Sequence, residues 1–445
     1  MTNILEMTML NLPNGSTVPL TDGGTAIVLE EIGSGGQGVV YKVSIDGKPY
    51  ALKWYYAHKL SMPAQFKTNL EENIHVGSPS KDFLWPLRLS KQHGDSFGYI
   101  MNLRPKTYAD FSDILNNRKR FSSLFTLVES AIHIVNAFRE LHRKGYSYQD
   151  INDGNFFINV DSGDVLICDN DNVAPYGKSL GIAGKPGYMA PEIVRGEVKP
   201  SQETDAHSLA VVLFKLFLRH DPLMGKIHVA KVCVTEKAEK ELYGEHPVFI
   251  FDPTDTSNRP VPGVHPNPLK LWPQYPKYVQ DMFIRAFAEG MKNRNVRPTD
   301  NEWRDMLIRL RGEILSCTCG TEMLACSLKS KVSNGQFACP KCHAKHTFPF
   351  VLESGKHCLY LFPGNKIYGC HVDRDSDDCE TEVGIVTRNK NNPNMYGIRN
   401  KSEFMWVCDY GGNLKNIQKE EVAPIADNMK ISFGLTTQAV VHSDN

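Results

Sequence analysis

Apolar and polar residues alternate over Ala26-Ile-Val-Leu-Glu-Glu-Ile32 and over Val39-Val-Tyr-Lys-Val-Ser-Ile45. A period of two predicts β-strands with one buried face. Asp46-Gly47 is a hairpin turn signal, and Pro49-Tyr-Ala-Leu-Lys53 follows as the next strand. Three antiparallel strands are expected, with a Gly-rich loop between the first two. The pattern then becomes helical around Ala64 to Val76, a segment bearing Glu71 and Glu72. Phe83-Leu-Trp-Pro-Leu87 reads as a strand. Val128, Ala131, Ile132, Val135, Phe138 and Leu141 share one helical face, and Gly145 ends that helix. Phe156-Phe-Ile158 and Val165-Leu-Ile-Cys168 read as two short strands around Asp161-Ser-Gly-Asp164. Residues 252–276, rich in Pro, Asp, Ser and Asn, read as a long loop. From about residue 350, short alternating strands recur between turns such as Pro363-Gly364, Asn392-Pro393 and Gly411-Gly412-Asn413. Strands followed by helices predict an α+β fold class for residues 25–313, and short strands alone predict an all-β end.

Composition narrows this only a little. A chain of 445 residues is too long for one ordinary core, so two to four domains are expected. Basic and acidic residues balance at 50 each, which gives no global pull toward nucleic acid. The longest apolar run, Leu209 to Leu218, contains Lys215 and is about half of the ~20 residues a membrane span needs. Met1 to Leu12 carries Glu6 and no basic start, unlike a secretion signal. Most of the cysteines lie between Cys317 and Cys379, four of them in one CxC and one CxxC pair, a pattern of thiolate metal ligands in a reducing cytoplasm.

The chemistry sits in three places. Gly33-Ser34-Gly35-Gly36-Gln37-Gly38 has GxGxxG spacing, where a lack of Cβ atoms lets backbone N–H groups approach phosphates. A solvent turn is the plainer alternative. A dinucleotide-binding fold is excluded because a strand, not a helix, follows the loop. Lys53, on the strand after the hairpin, suits pairing with α- and β-phosphates; the plainer reading is an edge lysine in water. A helix glutamate would hold it, with Glu72 preferred over Glu71. Ser147-Tyr-Gln-Asp-Ile-Asn-Asp-Gly-Asn155 then brings Asp150 as a base for an attacking hydroxyl and Asn155 as a magnesium ligand. Asp169, leaving the hairpin, is the second ligand, since oxygen donors suit a hard cation. A polar turn or a calcium loop is the alternative, although the glutamate an EF-hand needs is missing.

In order and spacing these parts resemble a eukaryotic-type protein kinase domain. Gly187-Tyr-Met-Ala-Pro-Glu192, Thr204-Asp-Ala-His-Ser-Leu-Ala210 and Arg297-Pro-Thr-Asp-Asn-Glu-Trp303 continue the match over about two thirds of the chain. The resemblance implies a bilobal fold, with lobes 25–103 and 104–313 after an N-terminal extension 1–24. It implies ATP with Mg2+ or Mn2+, and protein Ser/Thr hydroxyls as acceptors. Ile32 and Val40 would flank the glycine loop against the nucleotide, with Ala51, the gatekeeper Met101, and Asn102 and Leu103 at the hinge. Asp205 would brace the catalytic loop, and Arg297 would pair with Glu192. Three departures stand out. Tyr148-Gln149-Asp150 replaces His-Arg-Asp, which points to a non-RD enzyme not activated by loop phosphorylation. Asn152 replaces the usual lysine, and Asp169-Asn-Asp171 replaces Asp-Phe-Gly. Asp171 reads as a turn cap or a further metal ligand. Tyr176, Ser179 and Tyr188 are the hydroxyls of the segment that follows. A catalytically weak pseudokinase acting as a nucleotide-binding scaffold is the alternative reading, supported by Asn152; a small-molecule kinase is the third.

Cys317 and Cys319, then Cys339 and Cys342, form two knuckles resembling a zinc ribbon over 316–347. Cys326 or His343 could substitute for one ligand, and a redox CxxC is the alternative. Lys329, Lys331, Lys341 and Lys345 read as a solvated face rather than a nucleic-acid surface. Residues 350–445 read as a small β-sandwich resembling a forkhead-associated (FHA) domain, on Tyr396-Gly-Ile-Arg-Asn-Lys-Ser402, Met405-Trp-Val407 and Met429-Lys-Ile-Ser-Phe-Gly434. Arg388, Arg399 and Ser402 would stand in for its phosphate-binding residues. The whole string is similar to bacterial kinases encoded beside tellurite- and stress-response proteins. That resemblance implies a von Willebrand A protein and a metal-dependent phosphatase as partners.

Overall fold

The computed structural model describes residues 12–56, 59–60, 62–94, 96–178, 180–181, 184–231, 235–373, 376–434 and 438–444. Two compact units divide the chain. The first comprises residues up to Phe121, His133–Trp272 and Gln280–Asp300; the second comprises Ser122–Ile132, Pro273–Val279 and Asn301 onward. The expected limits near 313 and 350 both lie inside the second unit. The reason is local to the second unit. Arg311 pairs with Glu129 at 2.8 Å, and Glu322 accepts the Phe125 N–H at 3.4 Å, so Ser122–Ile132 and Asn301–Gly312 belong with the C-terminal residues.

The first unit opens with an antiparallel six-stranded sheet. Its strands are β1 (Thr17–Pro19), β2 (Thr25–Ser34), β3 (Gly38–Ile45), β4 (Lys48–Tyr55), β5 (Arg88–Leu89) and β6 (Gly98–Asn102), in the order β1-β2-β3-β4-β6-β5. Asp46 and Gly47 turn between β3 and β4 with φ of 49° and 77°, the left-handed pair a two-residue hairpin requires. The strand expected over Phe83–Leu87 is absent; pairing with β6 starts at Arg88. Pro86 has no N–H to donate, which bars a regular ladder there. Valines, tyrosine and tryptophan of one sheet face (Val28, Tyr41, Val43, Trp54) form one core. Ala51, Tyr55, Tyr99 and Met101 on the other face pack with Phe66 and Leu70 of the helix Pro63–Val76.

Beyond the sheet, this unit takes the helix Leu124–Arg143 from His133 onward and the helix Gln202–Leu218, which is buried along most of its length. Ser201 starts the latter, its N–H donating to Thr204 Oγ1 at 2.8 Å. Residues 252–276 are not simply loop. Pro266–Leu271 is helical, with proline at its first turn, and Trp272 stacks on Phe251 at 4.3 Å between ring centres. A buried ion pair closes this unit. Arg297 Nη1 and Nη2 donate to the two carboxylate oxygens of Glu192 at 2.7 and 2.8 Å, the pair expected from the sequence. Burial alone would raise the Glu192 pKa; the Arg297 guanidinium outweighs it and the net shift is downward. Arg297→Ala strands a carboxylate away from water and is expected to cost about 3–5 kcal/mol in a denaturant titration, most of it recovered in Arg297→Met/Glu192→Leu. A loss under ~1 kcal/mol would show the pair to be idle.

The second unit holds two facing sheets. One runs His357–Tyr360, Val351–Ser354, Gln438–His442, Lys430–Ser432, Trp406–Asp409, Leu414–Ile417. The other runs Lys366–Tyr368, Glu382–Arg388, Tyr396–Asn400, Val422–Pro424. Leu352, Ile431 and Val441 of the first share a core with Ile367, Val386 and Ile398 of the second, around the buried Trp406. Among the described residues, no helix is long and apolar enough to cross a membrane.

Candidate active site

β2 and β3 meet at the glycine loop, where Gly35 N–H donates to the Gly38 carbonyl at 2.9 Å. Gly38 is required by packing, since a Cβ there would lie 2.1 Å from the Trp54 carbonyl oxygen. A Cβ on Gly33, Gly35 or Gly36 would meet nothing within 4 Å, so open space lies over the loop. Ile32 and Ser34 are exposed and Gln37 is half-buried. Val40, Ala51, Met101 and Leu103 converge on one apolar cluster, while Asn102 is exposed. Leu166, on the strand Val165–Ile167, packs on the same cluster. It was missed in the sequence because an apolar residue in a short strand carries no chemical signal of its own.

Register brings the polar groups to this cluster. Asn155 ends its loop against Phe156–Ile158, which pairs with Val165–Ile167, so Cys168 N–H donates to the Asn155 carbonyl at 2.9 Å and Asp169 follows at once. Asn155 Nδ2 donates to the Asp150 carbonyl at 2.8 Å, tying the loop back on itself. Lys53 Nζ lies 3.1 Å from Asp169 Oδ1 and 2.8 Å from Asp171 Oδ2. Burial pulls the Lys53 pKa down, but Asp169 and Asp171 overcome it and the net shift is upward. Asp150 is pushed up, first by burial, with Asp169 and Asp171 adding and the Asn152 amide opposing.

Glu72 is a correction. It is exposed and pairs with Lys178 at 3.2 Å, whereas Lys53 is paired by Asp169 and Asp171. Helix phase explains the difference: Asn69, Leu70 and Asn73 point inward, which turns Glu71 and Glu72 outward. Asp171 is buried and pairs with the lysine.

The loop around Asp150 is braced from below. Asp205 accepts the N–H groups of Tyr148 at 2.6 Å and Gln149 at 3.2 Å, and its Oδ2 lies 3.3 Å from His142 Nε2. His142 Nδ1 lies 2.7 Å from Asp300. Burial alone would discharge His142, yet Asp205 and Asp300 hold its pKa at about 10, so it is cationic at neutral pH. Gln149 adopts a left-handed φ of 70°. Its side chain donates to the Lys178 carbonyl at 2.7 Å and accepts from Leu180 N–H at 3.3 Å, so neutral hydrogen bonds hold the segment beyond Asp169. Asn152 Nδ2 donates to Asp150 Oδ1 at 3.0 Å, and Lys185 pairs with Asp153. Ser179 lies outside the described residues; Tyr176 is exposed and Tyr188 buried.

The protein kinase domain family matches residues 27–259, just over half the chain. The chain belongs to the protein kinase family. Relatives include protein kinase C delta type of Mus musculus, 25% identical over 225 residues, covering 48% of this chain and 33% of that protein. Beta-adrenergic receptor kinase 1 of Mesocricetus auratus is 27% identical over 198 residues, covering 43% of this chain and 28% of that protein. G protein-coupled receptor kinase 2 of Caenorhabditis elegans is 26% identical over 221 residues, covering 47% and 31%. The chain thus spans about a third of the length of these relatives. A protein kinase domain implies ATP and Mg2+. The residues present fit both: open space lies over the glycine loop beside a buried cation, and Asp169 and Asn155 offer oxygen donors near Asp150.

In the second unit, the hairpins Ile314–Ser316/Glu322–Leu324 and Gln336–Ala338/Lys345–Thr347 present the cysteine knuckles. The four sulfurs of Cys317, Cys319, Cys339 and Cys342 lie within 4.8 Å of one another. Four such thiols, free of disulfides, fit tetrahedral zinc. His346 Nε2 lies 3.2 Å from Cys317 Sγ, a neighbour the sequence did not signal. Cys326 and His343 are not in the cluster.

Proposed function

We propose that this chain is an ATP-dependent protein kinase that transfers the γ-phosphoryl group to Ser/Thr hydroxyls of protein substrates. One observation carries the reading: Asn155 bonds the Asp150 carbonyl and Lys53 pairs with Asp169, and Cys168, whose N–H donates to the Asn155 carbonyl, joins the two pairs at the edge of one apolar cluster. Lys53 would position phosphates, Asn155 and Asp169 would hold the divalent ion, and Asp150 would take the proton of the attacking hydroxyl. Bound Mg2+ would neutralise charge on the transferred group. The Gln149 bonds to Lys178 and Leu180 support a non-RD enzyme whose activation segment needs no phosphate to be ordered.

The remaining assignments rest on less. The four-thiol cluster supports a zinc ribbon. The two-sheet unit supports an FHA-like docking or regulatory role. Arg388 and Arg399 line a groove of about 320 Å³, while Ser402 is spent on Asn400 and Trp406 and is withdrawn as a phosphate ligand. Free cysteines are in keeping with a reducing cytoplasm. A von Willebrand A protein and a phosphatase remain partners by analogy with the bacterial systems alone.

The test is incubation with labelled ATP and Mg2+ or Mn2+ on a generic protein acceptor, followed by phosphosite mapping. The expected product is phosphoserine or phosphothreonine, lost in Lys53→Ala. Nucleotide binding with no transfer to any acceptor would instead establish the scaffold reading that Asn152 favours.

A further inference from the structure

Lys53 has two carboxylate partners of different character. The Asp169 side chain is 40% exposed, whereas that of Asp171 is fully buried. Asp169 is thus open to exchange the lysine for a divalent ion; Asp171 is not. Tyr55 stands two residues beyond Lys53 on β4, hence on the same face, and its hydroxyl donates to Asp171 Oδ2 at 2.5 Å. Asp171 therefore receives a cation and a hydroxyl from one rigid strand. The helix Pro63–Val76 supplies no charge to this group. It approaches through Asn69 and Asn73, one turn apart, whose amides donate to the Val173 carbonyl at 2.7 and 3.0 Å.

We propose that Asp171 is the standing counter-ion of Lys53, a positioning residue that sets the ammonium for nucleotide phosphates without a helix carboxylate. This rests on the kinase reading and deepens it. Where a helix glutamate holds the lysine, moving the helix switches the site on or off. Here the carboxylate that holds the ammonium is anchored by a hydroxyl of the same strand, so the charge that sets the lysine does not come from the helix.

Calorimetric titration of Mg2+ with a non-hydrolysable ATP analogue, beside steady-state kinetics, tests this on the full chain. Asp171→Asn keeps shape and removes charge. It is expected to weaken nucleotide binding and raise KM for ATP by about 10- to 100-fold, as for loss of a charged hydrogen bond, with KM for the protein acceptor unchanged. Tyr55→Phe keeps the ion pair and loosens its anchor, so a rise of about 2- to 10-fold is expected. Glu72→Gln is expected to stay within about 2-fold of wild type, as for a surface ion pair. Nucleotide affinity falling in Glu72→Gln as far as in Asp171→Asn, or unchanged in Asp171→Asn, overturns the inference and leaves the kinase reading intact. Should Asp171→Asn fail to fold, an unchanged Tyr55→Phe overturns it equally. Wild-type protein that binds no Mg2+–nucleotide overturns both.

Discussion

Asp150→Asn is expected to leave a folded chain whose phosphoryl transfer is lower by about 10²- to 10⁴-fold, the usual contribution of a positioned base. The loop does not need the charge to keep its shape. The Asp150 main-chain carbonyl, not its carboxylate, receives the Asn155 amide, and Asp205 holds the loop from Tyr148 and Gln149. The carboxylate accepts one bond from Asn152, which the asparagine oxygen can accept in its place. Nucleotide affinity, which we propose is set at Lys53 and the glycine loop, should change by less than about 3-fold, within the range of a distant neutral change. Measurement of transfer and nucleotide binding on the same preparation separates these effects. Transfer reduced by only a few-fold would remove Asp150 from the chemistry. Loss of transfer together with loss of nucleotide binding would mean the substitution had disturbed the site as a whole. Asn152 makes this residue the more exposed to test, since no lysine two positions on shares the work at the acceptor side.

What the sequence made legible is local. The Asp46-Gly47 hairpin, the glycine loop and the helix ending at Gly145 each follow from a few adjacent residues whose backbone preferences leave little choice. Asp150, Asn155 and Asp169 were legible because a short hairpin fixes their relation once its two strands pair. The lysine's partner was not. Two adjacent glutamates on a helix do not reveal which face is buried when polar Asn69 and Asn73 occupy it. Asp171 lies 118 residues from Lys53, and a contact of that span is decided by tertiary packing. Long-range contacts within the second unit are hidden for the same reason. Glu322 caps residues near Leu124, and Arg311 reaches Glu129, through side chains whose type alone names no partner.

Zinc removal is the second large effect expected. The knuckle hairpins have strands of three residues each, too short to persist alone in water. Their apolar residues are few: Leu315, Met323 and Phe337 join a cluster completed by Val351, Tyr360 and Phe362. That shared cluster gives the hairpins a surface to fold on, but it cannot hold four thiolates within 4.8 Å against their mutual repulsion. A cation would, and structural zinc typically supplies about 10–16 kcal/mol of apparent binding energy. One zinc per chain is therefore expected by elemental analysis. Chelation, or Cys339→Ser, should expose amides of residues 314–347 to hydrogen exchange and lower the melting temperature of the second unit. Cys326→Ser, whose sulfur lies outside the cluster, should keep the metal. Protein purified without zinc and indifferent to chelator would show that the four cysteines meet for another purpose. The same treatment reads out on the kinase chemistry independently: retained transfer after zinc loss would confine the metal to architecture, and abolished transfer would tie the catalytic segment to it.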